Sequence, residues 1–311
     1  MIVTITINPC IDKSTSVNQL QPDSKLRCSQ LVNEPGGGGI NVSKALKKLG
    51  AEAQALFPAG GHNGNMLRAL LKEEGILFKA LETKTETREN WVVLDTSGNK
   101  QYRFTFPGPP AAADLITALA AQLPSLAPSF IVASGSLPPG IKENAYALIV
   151  EKAATIGAKC IIDTSGPALA ALKGKKAFLI KPNIGELAKL LNIPRLEKDE
   201  VPAAARTIIE DGYATIIAVS MGEKGAWLVS NDKDFFCAPP PVKKQSTVGA
   251  GDSMVAGMLY MLQQHASLEN TLKFGVACGT AATMNAGTQL FDKNDVFKLF
   301  NEMGGKMVND E

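Results

Sequence analysis

The sequence predicts an α/β fold: a doubly wound, mostly parallel sheet flanked by helices, with a small projecting β-sheet lid. Three observations carry that expectation. Short β-type runs alternate with helical stretches along the 311 residues. Two of the runs, Ile131-Val132-Ala133 and Ala214-Thr215-Ile216-Ile217-Ala218-Val219, are nearly all apolar, as parallel strands covered on both faces should be. Two further stretches, 12–34 and 88–107, are extended and polar with no helical period. Alternating strands and helices imply right-handed βαβ units in one sheet.

The elements follow in order. Ile2-Val3-Thr4-Ile5-Thr6-Ile7 reads as a first strand and not as a secretory signal. After the polar stretch 12–34, a helix is expected over 40–49, a strand over 53–57, a helix over 63–74 and a strand over 77–81. Trp91-Val92-Val93-Leu94-Asp95 and Gln101-Tyr102-Arg103-Phe104-Thr105-Phe106 flank Thr96-Ser97-Gly98-Asn99, a hairpin pattern. With 12–34 this hairpin forms the lid. Strands then fall at 130–134, 159–163, 176–180 and 214–219, with helices at 112–122, 142–157, 184–191 and 198–210. Three helices close the chain, at 252–264, 267–284 and 293–302. In the first of them Val255, Met258, Leu259 and Leu262 recur at three and four residues, one helical face. The expectation is a single domain over 1–311, and its lid carries Val92, Leu94, Phe104 and Phe106, which need cover from a ligand or a second subunit.

Composition removes several function classes. Thirty-two basic against thirty acidic side chains give +2, a poor match to a nucleic-acid or membrane-surface protein. No apolar run reaches the ~18 residues needed to span a bilayer. The two histidines, His62 and His265, have no partner at metal spacing, which argues against a zinc site or a Ser-His-Asp engine. The five cysteines, Cys10, Cys28, Cys160, Cys237 and Cys278, are odd in number and scattered. They fit free thiols in a reducing cytoplasm.

Four segments can carry chemistry. In Ser246-Thr247-Val248-Gly249-Ala250-Gly251-Asp252-Ser253, small residues run into a helix near Asp252. Glycines bring backbone amides close to a ligand, and a helix amino terminus adds partial positive charge, which together suit a phosphoryl group in transfer. Asp252 could take a proton from an attacking hydroxyl, or it could be an N-cap after a glycine turn. Glu34-Pro35-Gly36-Gly37-Gly38-Gly39-Ile40-Asn41-Val42 matches neither the Walker A nor the G-x-G-x-x-G spacing. It is either a bare-backbone sugar site with Asn41 as donor and acceptor, or a plain tight turn. In Lys181-Pro182-Asn183-x-x-Glu186, at the carboxyl end of a strand, Asn183 and Glu186 could face one hydrated Mg²⁺, or simply begin a helix. Gly135-Ser136-Leu137-Pro138-Pro139-Gly140 and Ser220-Met221-Gly222-Glu223-Lys224-Gly225 follow strands onto the same rim, and alone each is an ordinary loop.

Taken together and in this order, these segments resemble the ribokinase-like carbohydrate kinases of the PfkB family. The resemblance runs from Thr6-Ile7-Asn8-Pro9-Cys10-Ile11-Asp12 to Ala281-Ala282-Thr283-Met284-Asn285-Ala286-Gly287-Thr288. Its most specific element is Thr247-Val248-Gly249-Ala250-Gly251-Asp252-Ser253. The Thr-x-Asn-Pro-x-x-Asp opening with Ser-Leu-Pro-Pro-Gly points to the hexose-phosphate branch. Relatives that take tagatose phosphate or sugar 1-phosphates usually have lysine where this chain has Gly38.

The resemblance implies these roles. Asp252 is the base for the sugar hydroxyl, and the amides of Gly249, Ala250 and Gly251 hold the transferred phosphoryl group. Asp12, Gly38, Gly39 and Asn41 grip the sugar, and Lys25, Arg88, Arg103 and Ser136 serve its phosphate. Lys181, Asn183, Ser220, Gly222, Gly225, Gly279 and Thr283 line ATP, with Glu186 near Mg²⁺. Ser246, Val248, Ala282, Asn285 and Gly287 match positions that bind a monovalent cation, K⁺, in many relatives. The activity implied is ATP-dependent phosphorylation of a ketohexose phosphate: fructose 6-phosphate at its 1-hydroxyl, with tagatose 6-phosphate and fructose 1-phosphate as the alternatives. A homodimer through the lid is also implied. A non-catalytic sugar or nucleotide sensor on the same fold is the rival from another class.

Overall fold

The structure is a computed structural model that describes residues 1–285 and 289–308. In chain order the first strands are β1 Ile2–Ile5, β2 Cys10–Val17, β3 Val32–Gly36, β4 Ala53–Ala59, β5 Leu77–Glu82, β6 Arg88–Asp95 and β7 Lys100–Thr105. They are followed by β8 Phe130–Ser134, β9 Lys159–Asp163, β10 Ala177–Ile180, β11 Ala214–Ser220, β12 Ala226–Ser230 and β13 Asp234–Cys237. The first helices are α1 Gly38–Leu49, α2 Gly61–Glu73, α3 Leu115–Leu126, α4 Ala145–Thr155 and α5 Gly166–Ala170. The others are α6 Ile184–Leu190, α7 Val201–Glu210, α8 Ala250–Gln263, α9 Leu268–Thr283 and α10 Lys293–Glu302. None of these helices is long and apolar enough to cross a membrane.

Nine strands form the large sheet in the order β13-β12-β11-β10-β9-β8-β1-β4-β5. From β11 to β5 every pairing is parallel, while β12 and β13 are added antiparallel at one edge. Strand alternation divides the core into two layers. On β8, Val132 faces α1, α8, α9 and α10, whereas Ile131 and Ala133 face α3, α4 and α7. All three are fully buried, which is why that run is apolar without interruption. The chain leaves β1 toward β4 and β5 on one side and later toward β8 and β9 on the other. Strand order therefore reverses at β1, and the crevice beyond the carboxyl ends of β1 and β8 is where such a sheet binds ligands.

The two extended stretches do meet in a separate four-stranded sheet, β3-β2-β6-β7. Strand β2 pairs parallel with β6 and antiparallel with β3. The register places Cys10 beside Arg88 and Asp12 beside both Asn90 and Glu34, all on one face. It also separates the apolar lid residues. Val92 lies opposite Arg103, and Phe104 lies opposite Trp91 on the reverse face. Leu31, Val32, Tyr102, Phe104 and Phe106 are exposed.

Helix α8 begins earlier than the sequence pattern suggests. Its cap is Gly249, at φ 72°, with no side-chain cap, so Asp252 is the third residue of the helix and not its N-cap. Glycine notches then hold α8 against α9. A Cβ on Gly257 would come within 2.6 Å of Cys278 Sγ, and one on Gly275 within 2.5 Å of Met258 Cγ. This close approach brings Gly279 and Thr283 of α9 beside the amino end of α8.

Candidate active site

Asp252 projects from the first turn of α8 into the crevice between β1 and β8. Asn41 Nδ2, from α1, donates to its Oδ2 at 2.9 Å, and Ser134 Oγ, at the end of β8, donates to its Oδ1 at 3.3 Å. Burial pushes the carboxyl up to about 7, and the charge of Asp163 adds to the effect. Asn41, Lys181 and Ser134 pull it the other way. A base that titrates near neutrality can accept a proton without holding it too tightly. Asn41 keeps its other amide atom, Oδ1, buried and without a partner. An unpaired buried acceptor is costly, and a sugar hydroxyl would satisfy it.

The glycine loop is shaped by what lies behind it. A Cβ on Gly38 would sit 2.2 Å from Ser134 Oγ, and one on Gly39 2.5 Å from the Ile5 carbonyl. Gly37 caps α1 at φ 118°. Bare backbone is needed here because α1 docks directly on the ends of β1 and β8.

Beside Asp252 lies a cleft of about 650 Å³. Ser220, Gly222, Gly225, Ala250, Gly251, Gly279 and Thr283 line it, together with Pro240, Val242 and Thr247. Lys181 borders it: its Nζ is 3.4 Å from where a Cβ on Gly251 would be, and it pairs with Asp163 at 3.2 Å. Burial works against the ammonium, but Asp163, Asp252 and Glu186 outweigh it and raise the pKa. Lys181 therefore stays charged at the amino end of α8, where anionic phosphate would lie. Asn183 and Glu186 form a reciprocal capping box on α6: Asn183 N donates to Glu186 Oε2 at 2.8 Å, and Glu186 N donates to Asn183 Oδ1 at 2.9 Å. Glu186 Oε1 is left over, and burial raises this carboxyl.

The lid contributes Asp12, Arg88 and Asn90. Asp12 Oδ1 accepts from Asn90 Nδ2 at 2.9 Å and from the Cys10 thiol at 3.2 Å. Burial, then the Asp12 charge, raises the Cys10 pKa well above its ordinary value, so the thiol is a donor and not a nucleophile. Arg88 is anchored to the Asn8 carbonyl, and Asn8 Nδ2 donates to Ser136 Oγ at 3.3 Å. Arg103 and Lys25 are exposed. Arg103 reaches Thr247 at the rim of the cleft beside Asp252, and Lys25 stands on the loop between β2 and β3.

Of the positions expected to hold a cation, Ser246 meets the end of α9. The amides of Gln245 and Ser246 donate to the Thr283 carbonyl at 2.8 and 3.2 Å, and Asn285 Nδ2 donates to the Ala281 carbonyl at 3.3 Å. This brings Ser246, whose Oγ accepts from Val248 N at 3.2 Å, to the helix end that carries Ala282 and Asn285, where carbonyl oxygens lack intrahelical partners. Gly287 lies outside the described residues.

Sequence reasoning missed Ser134, Asp163, Asn8 and Asn90. Asp163 had a signal, a charged residue ending the apolar strand Cys160-Ile161-Ile162. The other three owe their roles to register and strand ends.

The arrangement is one floor with two sides: bare glycines and carboxylates on one, and a cleft ending on backbone amides on the other. A protein-family model described as "pfkB family carbohydrate kinase" matches residues 1–294. The chain is 43% identical to the ATP-dependent 6-phosphofructokinase isozyme 2 of Escherichia coli over 96% of this chain and 97% of that one. It is 35% identical to a 1-phosphofructokinase of Borreliella burgdorferi, with 96% of both covered. Crystal structures of E. coli phosphofructokinase-2 in complex with potassium and with fructose-6-phosphate superpose with TM-scores of 0.93 and 0.91 at 42% and 40% identity. Each covers 97% of this chain and 99% of the other. With nearly its whole length matched and the shared floor built from the signature segment, the chain belongs to the pfkB family of carbohydrate kinases.

Proposed function

We propose that this protein is an ATP-dependent 6-phosphofructokinase, which transfers the γ-phosphoryl group of ATP to the 1-hydroxyl of fructose 6-phosphate. The observation that carries the reading is Asp252, a carboxylate raised to about 7 and oriented by Asn41 and Ser134 at the amino end of α8. It stands where the sugar pocket and the nucleotide cleft meet. The non-catalytic alternative leaves that tuned base without a role.

The residues divide the work. Asp12, Asn41 and the backbone of Gly38 and Gly39 hold the sugar so that one hydroxyl faces Asp252. Arg88, Arg103, Lys25 and Ser136 receive its phosphate. Ser220, Gly222, Gly225, Gly279 and Thr283 receive the nucleotide, with Lys181 and Asn183 at its phosphate end. Asp252 removes the hydroxyl proton as the oxygen attacks in line. The amides of Gly249, Ala250 and Gly251 and the Lys181 ammonium face the charge that spreads over the phosphoryl oxygens. Positioning and electrostatics supply most of such an acceleration.

Mg²⁺ would be held by Glu186 Oε1 through water, a donor type that suits a hard, hydrated ion, and it would neutralise ATP phosphates when bound. K⁺ would be held by the oxygens of Ser246, Val248, Ala282 and Asn285, with Gly287 as a further candidate, and would add positive charge beside the amide pocket. The protein is further read as a cytoplasmic homodimer joined through the lid. Its five thiols are all free, and Leu31, Val32, Tyr102, Phe104 and Phe106 leave the lid surface apolar.

ADP release with fructose 6-phosphate, tagatose 6-phosphate and fructose 1-phosphate tests the reading. The highest kcat/KM is expected for fructose 6-phosphate. A higher value for fructose 1-phosphate assigns the chain to the 1-phosphofructokinases instead. No turnover with any sugar phosphate would favour the sensor.

A further inference from the structure

Asn90 sits at the centre of the lid face that looks onto the sugar pocket, and all its hydrogen-bonding capacity is used. Its Nδ2 donates to Asp12 Oδ1 at 2.9 Å and to Cys10 Sγ at 3.1 Å. Its Oδ1 accepts from Arg88 Nη1 at 3.0 Å and from the Phe106 amide at 3.3 Å. An amide offers two donors and two acceptor sites, so none remains for a ligand.

The Arg88 guanidinium is almost fully engaged as well. Nε and Nη2 donate to the Asn8 carbonyl at 3.2 and 3.1 Å, and Nη1 donates to Asn90 and to the Phe106 carbonyl at 3.0 and 2.8 Å. Of five guanidinium N–H groups, one on Nη2 is left. Where that group points is fixed by Asn8 on one side and by Asn90 on the other.

We propose that Asn90 is a positioning residue that couples Arg88 to Asp12, so that the phosphate end and the hydroxyl end of the sugar phosphate are bound as one unit. The inference rests on the kinase reading above. Its chemistry is specific to the side chain. A single group must present an acceptor to a cation and a donor to a carboxylate, side by side on adjacent strands. Aspartate would set like charge against Asp12, directly opposite in the register. Alanine would leave Arg88 and Asp12 each short of a partner.

The test is a double-mutant cycle on the sugar-phosphate KM. Asp12→Asn and Arg88→Lys are made singly and together, in the native protein and in Asn90→Ala. In the native background the double variant should depart from the product of the single effects by at least about threefold, as expected for coupled residues. With Asn90→Ala the two effects should multiply independently. Asn90→Ala itself should raise the sugar-phosphate KM about tenfold while the ATP KM stays within about twofold, the loss expected when a half-buried, charge-assisted polar pair loses a partner. Should Asn90→Ala fail to fold, Asn90→Asp keeps the shape and should give the same split between the two KM values. Coupling that persists without Asn90, or equal rises in both KM values, overturns the proposal while the kinase reading stands. A native protein that turns over no ketohexose phosphate overturns the kinase reading, and the proposal with it.

Discussion

Arg103 on the lid donates from Nη2 to Thr247 Oγ1 at 3.1 Å, a bond across 144 residues that ties the hairpin to the cleft beside Asp252. The same guanidinium also holds Gln101 Oε1 through Nε and Nη2 at 3.0 and 2.8 Å, which leaves Nη1 for a ligand. Because the side chain is exposed, the loss on truncation is expected to be modest. Arg103→Ala should raise the KM for fructose 6-phosphate about tenfold, less than removal of a buried charge contact would cost, and the ATP KM less still. Steady-state kinetics with each substrate varied decides this. If the ATP KM rises more, Thr247 and not the sugar phosphate is the arginine's partner.

As the proposed base, Asp252 should set the acid limb of the pH profile. The base must be ionised to act, so kcat/KM should rise with pH through about 7 and then level off. Asp252→Asn should lower kcat by at least ~10²-fold. A profile flat from pH 5 to 8 in the native protein would contradict the assignment.

The same group has a stability signature of unusual sign. A carboxyl whose folded pKa lies above its unfolded value binds its proton more tightly when folded. Its contribution is present below the usual aspartate range near ~4 and is lost as pH rises through about 7. The amide of Asp252→Asn does not titrate. Its melting temperature relative to the native protein should therefore be higher at pH 8 than at pH 5, and scanning calorimetry at the two values checks it.

Gly38→Ala tests the support behind the base. The new Cβ would lie 2.2 Å from Ser134 Oγ and 2.9 Å from Ser134 Cβ, and Ser134 is the donor to Asp252 Oδ1. Displacing that contact by an ångström should cost kcat up to about 10²-fold. Circular dichroism should show the fold retained. An unchanged kcat would mean that Ser134 does not orient the base.

The lid should join two chains. Tyr102, Phe104 and Phe106 are exposed, as is Val32 at the opposite edge of the small sheet. Phe104→Glu combined with Val32→Glu should shift the protein from dimer to monomer in light scattering and reduce activity. A native protein that is monomeric and fully active at assay concentration would exclude the dimer.

Most of the large sheet is legible in the sequence because its inner strands are buried on both faces and read as apolar runs. Strands β12 and β13 are not, because Ala226-Trp227-Leu228-Val229 is a short run that only its pairing with β11 turns into a strand. The five residues of α5 are too few to show a period. The start of α8 is displaced because Gly249 in the left-handed region opens the helix, and no side chain marks it. The glycine loop and Asp252 can be recognised as segments. Ser134 and Asn90 cannot, because their partners come from strand register and helix docking across long stretches of chain.

Asn90 and Asp12 are neighbours in the lid yet stand 78 residues apart in sequence, and between their strands lie β3, α1, β4, α2 and β5. Closing so large a loop is entropically unfavourable until those intervening elements have packed. During folding the lid should therefore be assembled late, and the face that carries Asp12 and Asn90 should form only after the layer beneath it is in place. The lid strands are for the most part only half-buried whereas β8 is buried throughout, so the lid amides should exchange with solvent sooner than those of β8 at the centre of the main sheet.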